Sequence, residues 1–204
     1  MTQRLGRAPR GLETRARLIE AAIERLAEAG PDANLNVIAA DGGVTKGALY
    51  HHFDSKERLV EEVYKESIRR HAARILEVTA TGTGRERLLA LVSETAVLYG
   101  SGSPFYRLLL RLHAEANAGR PHLAPIARRV QNRQLAYVGQ LVAAGQADGS
   151  IRTDIQPEAV AHVVNATVQG LLVQQFEPLD VQRTATEQFA VLLDRLLASP
   201  DQRT

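Results

Sequence analysis

The stretch IAADGGVTKGALY, residues 38–50, decides the fold of this 204-residue chain. Gly42-Gly43 separates two short helical segments, and Gly43 is expected to reverse the chain with a positive φ. Thr45 predicts the N-cap of the second segment, which runs from Lys46 to about His51. Four apolar residues are spaced to hold the two helices together: Ile38, Ala39, Val44 and Leu49. Two helices joined in this way cross each other, and the second can enter the major groove of DNA, which is wide enough for an α-helix.

The outward positions of the second short helix carry residue types that suit a DNA groove. Gly47 and Ala48 are small enough for close approach to bases, while Lys46 and Tyr50 can reach phosphates. The starts of the first and fourth helices also favour phosphate, because their N-terminal amides are free to donate. The alternative is a hairpin used only for packing, and Phe53 is expected to be a core residue. The DNA contacts expected from these residue types are Thr14, Lys46, Gly47, Ala48, Tyr50 and Lys56.

Helical patterns separated by glycine and proline continue on both sides of this stretch. Apolar residues three and four apart predict a first helix from about Thr14 to Gly30-Pro31, with Asn34 or Asn36 as the cap of the second helix. Asp54-Ser55 begins a long fourth helix with an expected apolar face of Leu59, Val63, Ile68, Ala72, Ile75 and Leu76. After an expected linker at residues 79–84, helices are predicted near 85–100, 104–118, 122–147, 157–176 and 181–198. No alternating strand pattern occurs in the sequence, which therefore predicts an all-α protein.

Composition narrows the classes of protein and of partner. Hydrophobic residues make up 45% and charged residues 24%, which is typical of a globular chain, and the absence of cysteine excludes disulfides and cysteine-ligated zinc. The sequence has neither an apolar run of membrane-spanning length nor an apolar signal core at its start, so a cytoplasmic location without a membrane partner is expected. Basic residues crowd the start, which suits either a polyanion partner or a solvated tail: Arg4, Arg7, Arg10, Arg15 and Arg17.

Three blocks of the sequence resemble the TetR family of regulators. They are Thr14-Arg15 with Ile19-x-x-Ala22, then Ile38-Ala39 followed by residues 43–53, then Ser55-Lys56-x-x-Leu59. The resemblance implies an all-helical homodimer and a repressor that a small ligand releases from its DNA operator. It also implies contacts to bases from Thr45, Gly47 and His51, and contacts to phosphates from Thr14, Lys46, Tyr50 and Lys56.

Three features depart from the pattern of that family. The stretch from Gly30 to Ile38 is about one residue shorter than usual, and Asn34-Leu35-Asn36 is an unusual lead into the second helix. Gly42 stands where alanine is common. A shorter link would shift the start of the second helix or weaken its cap, whereas the recognition turn itself is intact. The expected division is a flexible basic arm at 1–11, a helix-turn-helix DNA-binding domain at 12–55, and a helical ligand-binding and dimerisation domain at 56–204.

A small-molecule effector is expected to bind in the C-terminal part of the chain. Such pockets are mostly apolar and contain a few converging polar groups. Asn165 and Gln169 lie one helical turn apart in the otherwise apolar stretch 160–176. Polar residues in such places can alternatively bond within the core or across a subunit interface. The expected ligand-binding residues are Tyr99, Phe105, Tyr106, His113, Asn117, Tyr137, Asn165 and Gln169.

The last two helices are candidates for a homodimer interface. Ala166 and Gly170 are small and would permit close approach of a neighbouring helix. The final helix has a wide apolar face made by Phe189, Leu192, Leu193, Leu196 and Leu197. Two such helices can form a four-helix bundle with their symmetry mates, or they can be ordinary intrachain core. A dimer would read a palindromic double-stranded operator, because each protomer reads one half-site.

The sequence offers no convincing catalytic, metal or cofactor site. Adjacent histidines such as His51-His52 point about 100° apart on a helix and do not chelate together easily. His113 with Glu115 lacks the downstream cysteines of a zinc deaminase. No phosphate-binding glycine loop or nucleophile motif occurs. Two alternatives to a DNA-binding regulator stay open, namely a helical ligand- or partner-binding protein that no longer reads DNA, and a small helical enzyme.

Overall fold

The computed structural model describes residues 10–30, 33–173 and 179–198, and within these ranges all regular structure is helical. The α-helices in chain order are α1 Arg10–Ala29, α2 Leu35–Asp41, α3 Lys46–His52, α4 Lys56–Val78, α5 Gly84–Gly100, α6 Pro104–Asn117, α7 Ala124–Ala147, α8 Pro157–Val173 and α9 Leu179–Leu197. The predicted all-α class is therefore confirmed. No helix in the described ranges is long and apolar enough to cross a membrane.

The chain divides into two compact units, residues 1–68 and residues 69–204. The core of the first unit contains the apolar face predicted for α1, together with residues of α2, α3 and the first half of α4: Leu18, Ala22, Ile23, Ile38, Leu49, Leu59, Val63 and Tyr64. In this unit α1 packs against α2, and α2 packs against α3. Leu59, Val63 and Tyr64 extend the first unit beyond the helix-turn-helix itself.

The first helix begins earlier than the sequence indicates. Arg10 and Gly11, which were expected in the irregular arm, are helical. Glu13 lies in the first turn, where a carboxylate interacts favourably with the positive end of the helix dipole. The rest of the expected arm, including Arg4 and Arg7, lies outside the described residues.

The second unit is built around α5, α7, α8 and α9. Helix α5 packs against α9 and α7, and α7 packs against α8. Thr83 and Glu86 form a capping box that fixes the start of α5 at Gly84, so residues 79–83 remain of the linker expected at 79–84. The shared core is apolar: Leu88, Val92, Val138, Leu141, Val142, Ile151, Ala161, Val164, Leu193 and Leu197.

The predicted face of α4 is only partly right. Leu59, Val63 and Ile75 are buried as expected, whereas Leu76 is exposed and Ala72 is exposed. Buried and half-buried side chains instead recur every four residues: Leu59, Val63, Ser67, His71 and Ile75. Ser67 and His71 in this ridge are polar, so apolar spacing alone predicts the wrong residues for the second half of the buried face.

Candidate DNA-binding and effector sites

The helix-turn-helix is held by two side-chain caps and one glycine turn. Asn34 caps α2, because its Oδ1 accepts a hydrogen bond from the Asn36 amide at 2.9 Å. Thr45 caps α3 by accepting from the Ala48 amide at 3.2 Å. Between the two helices Gly43 has φ +72°. The predicted turn and both predicted caps are confirmed, and the unusual approach to α2 does not cost that helix its cap.

Gly42 is explained by the packing of the first helix. A Cβ at this position would lie 2.5 Å from Cδ2 of Leu18, which is fully buried. Leu18 therefore occupies the space that an alanine methyl would need. Glycine at position 42, where alanine is common in the family, therefore leaves room for the side chain of Leu18 on α1.

The core side of the hairpin is closed by Phe53. Its ring is buried, and the guanidinium carbon of Arg15 lies 5.1 Å from the ring centroid. Arg15 also forms an ion pair with Glu62 on α4. The expected core role of Phe53 is confirmed, and Arg15 has a structural role in holding α1 against α4.

The outer side of α3 brings most of the expected DNA-contacting residues together. Lys46, Gly47 and His51 are exposed, and Tyr50 is 38% exposed on the same short helix. Ala48 is half-buried. The surface presented by residues 45–51 thus combines small, cationic and hydroxyl-bearing side chains.

Two expected DNA contacts lie on other helices. Thr14 is half-buried in the first part of α1. Lys56, at the start of α4, donates from its Nζ to the carbonyl of Ala33 at 3.3 Å, which ties α4 to the segment before α2. The structure therefore assigns Lys56 a contact that the sequence did not reveal.

Arg17 is an exposed cation close to the turn. Its Nη1 lies 3.9 Å from the place where a Cβ of Gly43 would stand, and its Nη2 lies 3.5 Å from Oγ1 of Thr14. Arg15 pairs with Glu62, and Arg25 pairs with Asp41 at 2.6 Å. Within the described ranges Arg17 has no carboxylate partner.

Four aromatic side chains of the second unit form a contiguous cluster, hereafter the ring cluster: His71, Tyr99, Phe105 and Tyr106. The centroid of His71 lies 5.6 Å from that of Tyr99 and 6.0 Å from that of Tyr106. The centroid of Tyr106 lies 5.1 Å from those of both Tyr99 and Phe105. All four of these ring pairs are edge-to-face or tilted, an arrangement that aromatic quadrupoles favour.

Both histidines in this region are held in the neutral form. Burial lowers the pKa of His71 to about 4, with a further lowering from nearby His113, while Glu94 acts in the opposite direction. Burial also lowers the pKa of His113. Glu94 accepts a hydrogen bond from Nε of Arg74 at 2.6 Å, so these two opposite charges are paired. The cluster is thus polar but carries little net charge near neutral pH.

The structure separates the expected ligand-binding residues into groups. Tyr99, Phe105 and Tyr106 share the ring cluster, and His113 lies near enough to His71 to affect its pKa. The others have different surroundings. The hydroxyl of Tyr137 bonds to Thr79, Asn165 and Gln169 bond to each other at 3.4 Å, and Asn117 is exposed at the end of α6.

His71 was missed by the sequence reasoning. Its signal is the four-residue spacing from Ser67 and to Ile75, which places it on the buried ridge of α4. A lone histidine in a charged helix is easily taken as a surface residue. The sequence alone does not reveal that His71 is largely buried, because the residues around it form no apolar pattern.

Two exposed apolar faces lie on α8 and α9. Val163 is 62% exposed, and Ala166 and Gly170 are exposed on the same helix. On α9, Leu192 is 57% and Leu196 63% exposed. The predicted apolar face of α9 is therefore divided, because Leu193 and Leu197 belong to the core of the second unit.

A capped, glycine-turned helix pair with an exposed second helix, together with a separate helical unit, defines a helix-turn-helix transcriptional regulator. The chain belongs to the TetR family. Residues 18–63 match the model of bacterial regulatory proteins of the tetR family, and residues 84–199 match the C-terminal model of BetI-type transcriptional repressors.

Relatives and solved structures agree with this assignment. The HTH-type transcriptional repressor KstR2 of Rhodococcus jostii is 31% identical over 194 residues, covering 91% of this chain and 92% of the relative. The regulator SrpR of Pseudomonas putida is 26% identical over 171 residues, covering 83% and 78%. A TetR transcription regulator of Haloarcula marismortui has the same fold, with a TM-score of 0.81 at 17% identity over 92% of this chain and 100% of the other. The protein is accordingly a DNA-binding regulator of transcription.

Proposed function

We propose that the protein is a repressor that binds a palindromic operator as a homodimer and leaves it when a small-molecule effector binds to the second unit. The observation that carries this proposal is the exposed surface of α3 between Thr45 and His51, held by a cap and a turn. We propose that residues 12–55 bind DNA and that the basic arm at 1–11 precedes them. Residues 56–204 bind the effector and form the dimer.

The proposed DNA contacts fall into two kinds. Thr45, Gly47, Ala48 and His51 face the bases, where small side chains allow close approach. The phosphate contacts are Thr14, Lys46, Tyr50 and Lys56, to which we add Arg17. The addition is supported by the exposure of Arg17, its position beside Gly43, and the lack of a carboxylate partner in the part of the chain that is described. Cations that are not already paired contribute most to counterion release on binding.

Dimerisation is supported by the exposed faces of α8 and α9. Val163, Leu192 and Leu196 are large apolar residues at the surface, and Ala166 and Gly170 allow close helix approach. A short reading helix contacts few bases, so two half-sites about one DNA turn apart would supply the specificity. We therefore place the interface on the last two helices.

Release by an effector follows as a shift between two populations. DNA binding requires the two reading helices of the dimer at one separation, and an effector that prefers another separation lowers DNA affinity by its differential binding. We expect a movement of α4, which contributes residues to both compact units. Equal half-site separations with and without a releasing effector would contradict this mechanism.

Fluorescence anisotropy with the DNA upstream of the protein's own coding sequence tests the proposal. The expected result is saturable binding that weakens steeply with salt and that is stronger than binding to a scrambled duplex. Equally strong binding to both duplexes would show that the protein does not recognise this upstream DNA as an operator. No binding at all would favour a helical ligand- or partner-binding protein that no longer reads DNA. Turnover of a bound small molecule would favour an enzyme, for which we propose no catalytic residue.

A further inference from the structure

The ring cluster of the second unit offers flat apolar surfaces that are already engaged with one another. The centroid separations of 5.1–6.0 Å leave the rings in contact. A molecule that enters must replace ring–ring contacts with contacts of its own. A flat aromatic molecule replaces these contacts with the smallest loss of interaction energy, because it has the same negative face and positive edge as the rings that it displaces.

One hydrogen-bonding atom of this cluster is unused in the described part of the chain. The Nδ1 atom of His71 is buried and makes no hydrogen bond there. A buried polar atom without a partner is destabilising, so a ligand that supplies one gains affinity. A neutral imidazole has one donor and one acceptor nitrogen, and a hydroxyl can serve either.

The charges around the cluster disfavour an ionic guest. His71 and His113 are neutral near pH 7 because burial lowers the pKa of each. The charges of Glu94 and Arg74, which act on Tyr106, are paired with each other. A carboxylate or an ammonium ion placed among the rings would lose its hydration without gaining a free counter-charge.

We propose that the ring cluster binds an uncharged, flat aromatic effector that carries a hydroxyl group, and that His71 selects it by hydrogen bonding to that hydroxyl. Tyr99, Phe105 and Tyr106 contact the aromatic body. The inference rests on the proposed effector function of the second unit, and it adds the chemical class of the effector and a residue that recognises it.

Three probes of matched shape and different charge test the proposal: 2-naphthol, 2-naphthoate and 2-naphthylmethylammonium. Calorimetric titration of the full-length protein at pH 7.5 is expected to give 2-naphthol an affinity at least about tenfold higher than either ion. Adding 2-naphthol is expected to lower the anisotropy of a labelled operator. An ion that binds as tightly as 2-naphthol, or 2-naphthol binding weaker than about 1 mM, would overturn the proposal.

Variants at His71 separate recognition from folding. His71→Phe keeps the ring but removes the hydrogen bond, and we expect about tenfold weaker 2-naphthol binding. His71→Gln keeps a donor and an acceptor, and we expect it to retain most of the affinity. Gln131→Ala, at an exposed position of α7, is the control for a substitution in the same unit. Thermal melts show whether each variant folds. If His71→Phe does not fold, the proposal is tested by the binding of the three probes to His71→Gln.

The two proposals fail differently. If the protein binds no operator, the calorimetric comparison of the three probes still tests the ring cluster. If His71→Phe binds 2-naphthol as tightly as the unaltered protein does, the selecting role of His71 is wrong, whatever happens at the operator.

Discussion

The hydroxyl of Tyr137 lies 2.5 Å from Oγ1 of Thr79, joining α7 to the residue that follows α4. Oγ1 of Thr79 donates to the carbonyl of Ile75 at 2.8 Å, so the tyrosine is the donor of the shared bond. The carbonyl of Thr79 accepts from Nε of Arg87 on α5 at 2.8 Å. The end of α4 is therefore anchored to two other helices of the second unit.

Removing the tyrosine hydroxyl tests this anchor. Tyr137→Phe is expected to lower the free energy of unfolding by about 1 kcal/mol, the usual net contribution of a buried hydrogen bond. Urea denaturation of Tyr137→Phe, Thr79→Val and the double variant gives the coupling between the two groups. Strictly additive effects would show that the bond contributes nothing to stability.

Arg17 is expected to contribute to DNA affinity without sequence preference. Arg17→Ala should lower the slope of log K against log salt by about 1 for each protomer, as should Lys46→Ala, because each removes one phosphate contact. Arg25→Ala is the matched control, since Arg25 is already paired with Asp41 and Glu28. An unchanged slope in Arg17→Ala would remove this residue from the interface.

The packing of Gly42 predicts a stability defect that a second substitution relieves. Gly42→Ala places a methyl against Leu18, and we expect a loss of about 1–3 kcal/mol from overpacking. Leu18→Ile, which redistributes the same volume, should recover part of the loss in the double variant. Denaturation of the single and double variants measures both effects. Equal stability of Gly42→Ala and the unaltered protein would contradict the contact.

The lowered pKa values of His71 and His113 predict a loss of stability in mild acid. Between pH 6.5 and about 4 the unfolded chain binds more protons at His71 than the folded chain does. The free energy of unfolding therefore rises with pH across that window and falls as the pH is lowered through it. Glu94 opposes the lowering at His71, and its partner Arg74 stays charged throughout.

Thermal melts from pH 7.5 to pH 4.5 measure this dependence. His71→Gln, which cannot take up a proton, should reduce the fall in Tm over that range. His162→Gln, at an exposed position of α8, is the control for the loss of a histidine that is not buried. Identical pH profiles for all three proteins would show that His71 does not titrate as its burial requires.

Charges placed on the exposed face of α9 should separate the protomers. Leu192→Glu with Leu196→Glu buries two carboxylates in the proposed interface, so we expect monomers at micromolar concentration and operator binding weakened by about tenfold or more. Val97→Glu on α5, which is 55% exposed, is a control of similar exposure. Sedimentation that shows the same species for all three proteins would place the interface elsewhere.

The sequence predicted the helix-turn-helix well because its determinants are local. Thr45 caps within one turn, Gly43 sets its own backbone angle, and Ile38 and Leu49 are close in the chain. The proposed effector site was predicted less completely. His71 contacts Tyr99 and Tyr106 only because helices that are separate in the sequence pack together. Since histidine is polar, apolar periodicity does not predict that His71 is buried.

The contact between Leu18 and Gly42 also has a consequence for how the family varies. The side chains at positions 18 and 42 compete for the same small space, so a larger residue at one position requires a smaller or differently shaped residue at the other. Among related chains, alanine at the second position should accompany a β-branched or smaller side chain at the first. Such paired substitutions are expected because a Cβ at residue 42 would lie only 2.5 Å from Cδ2 of Leu18.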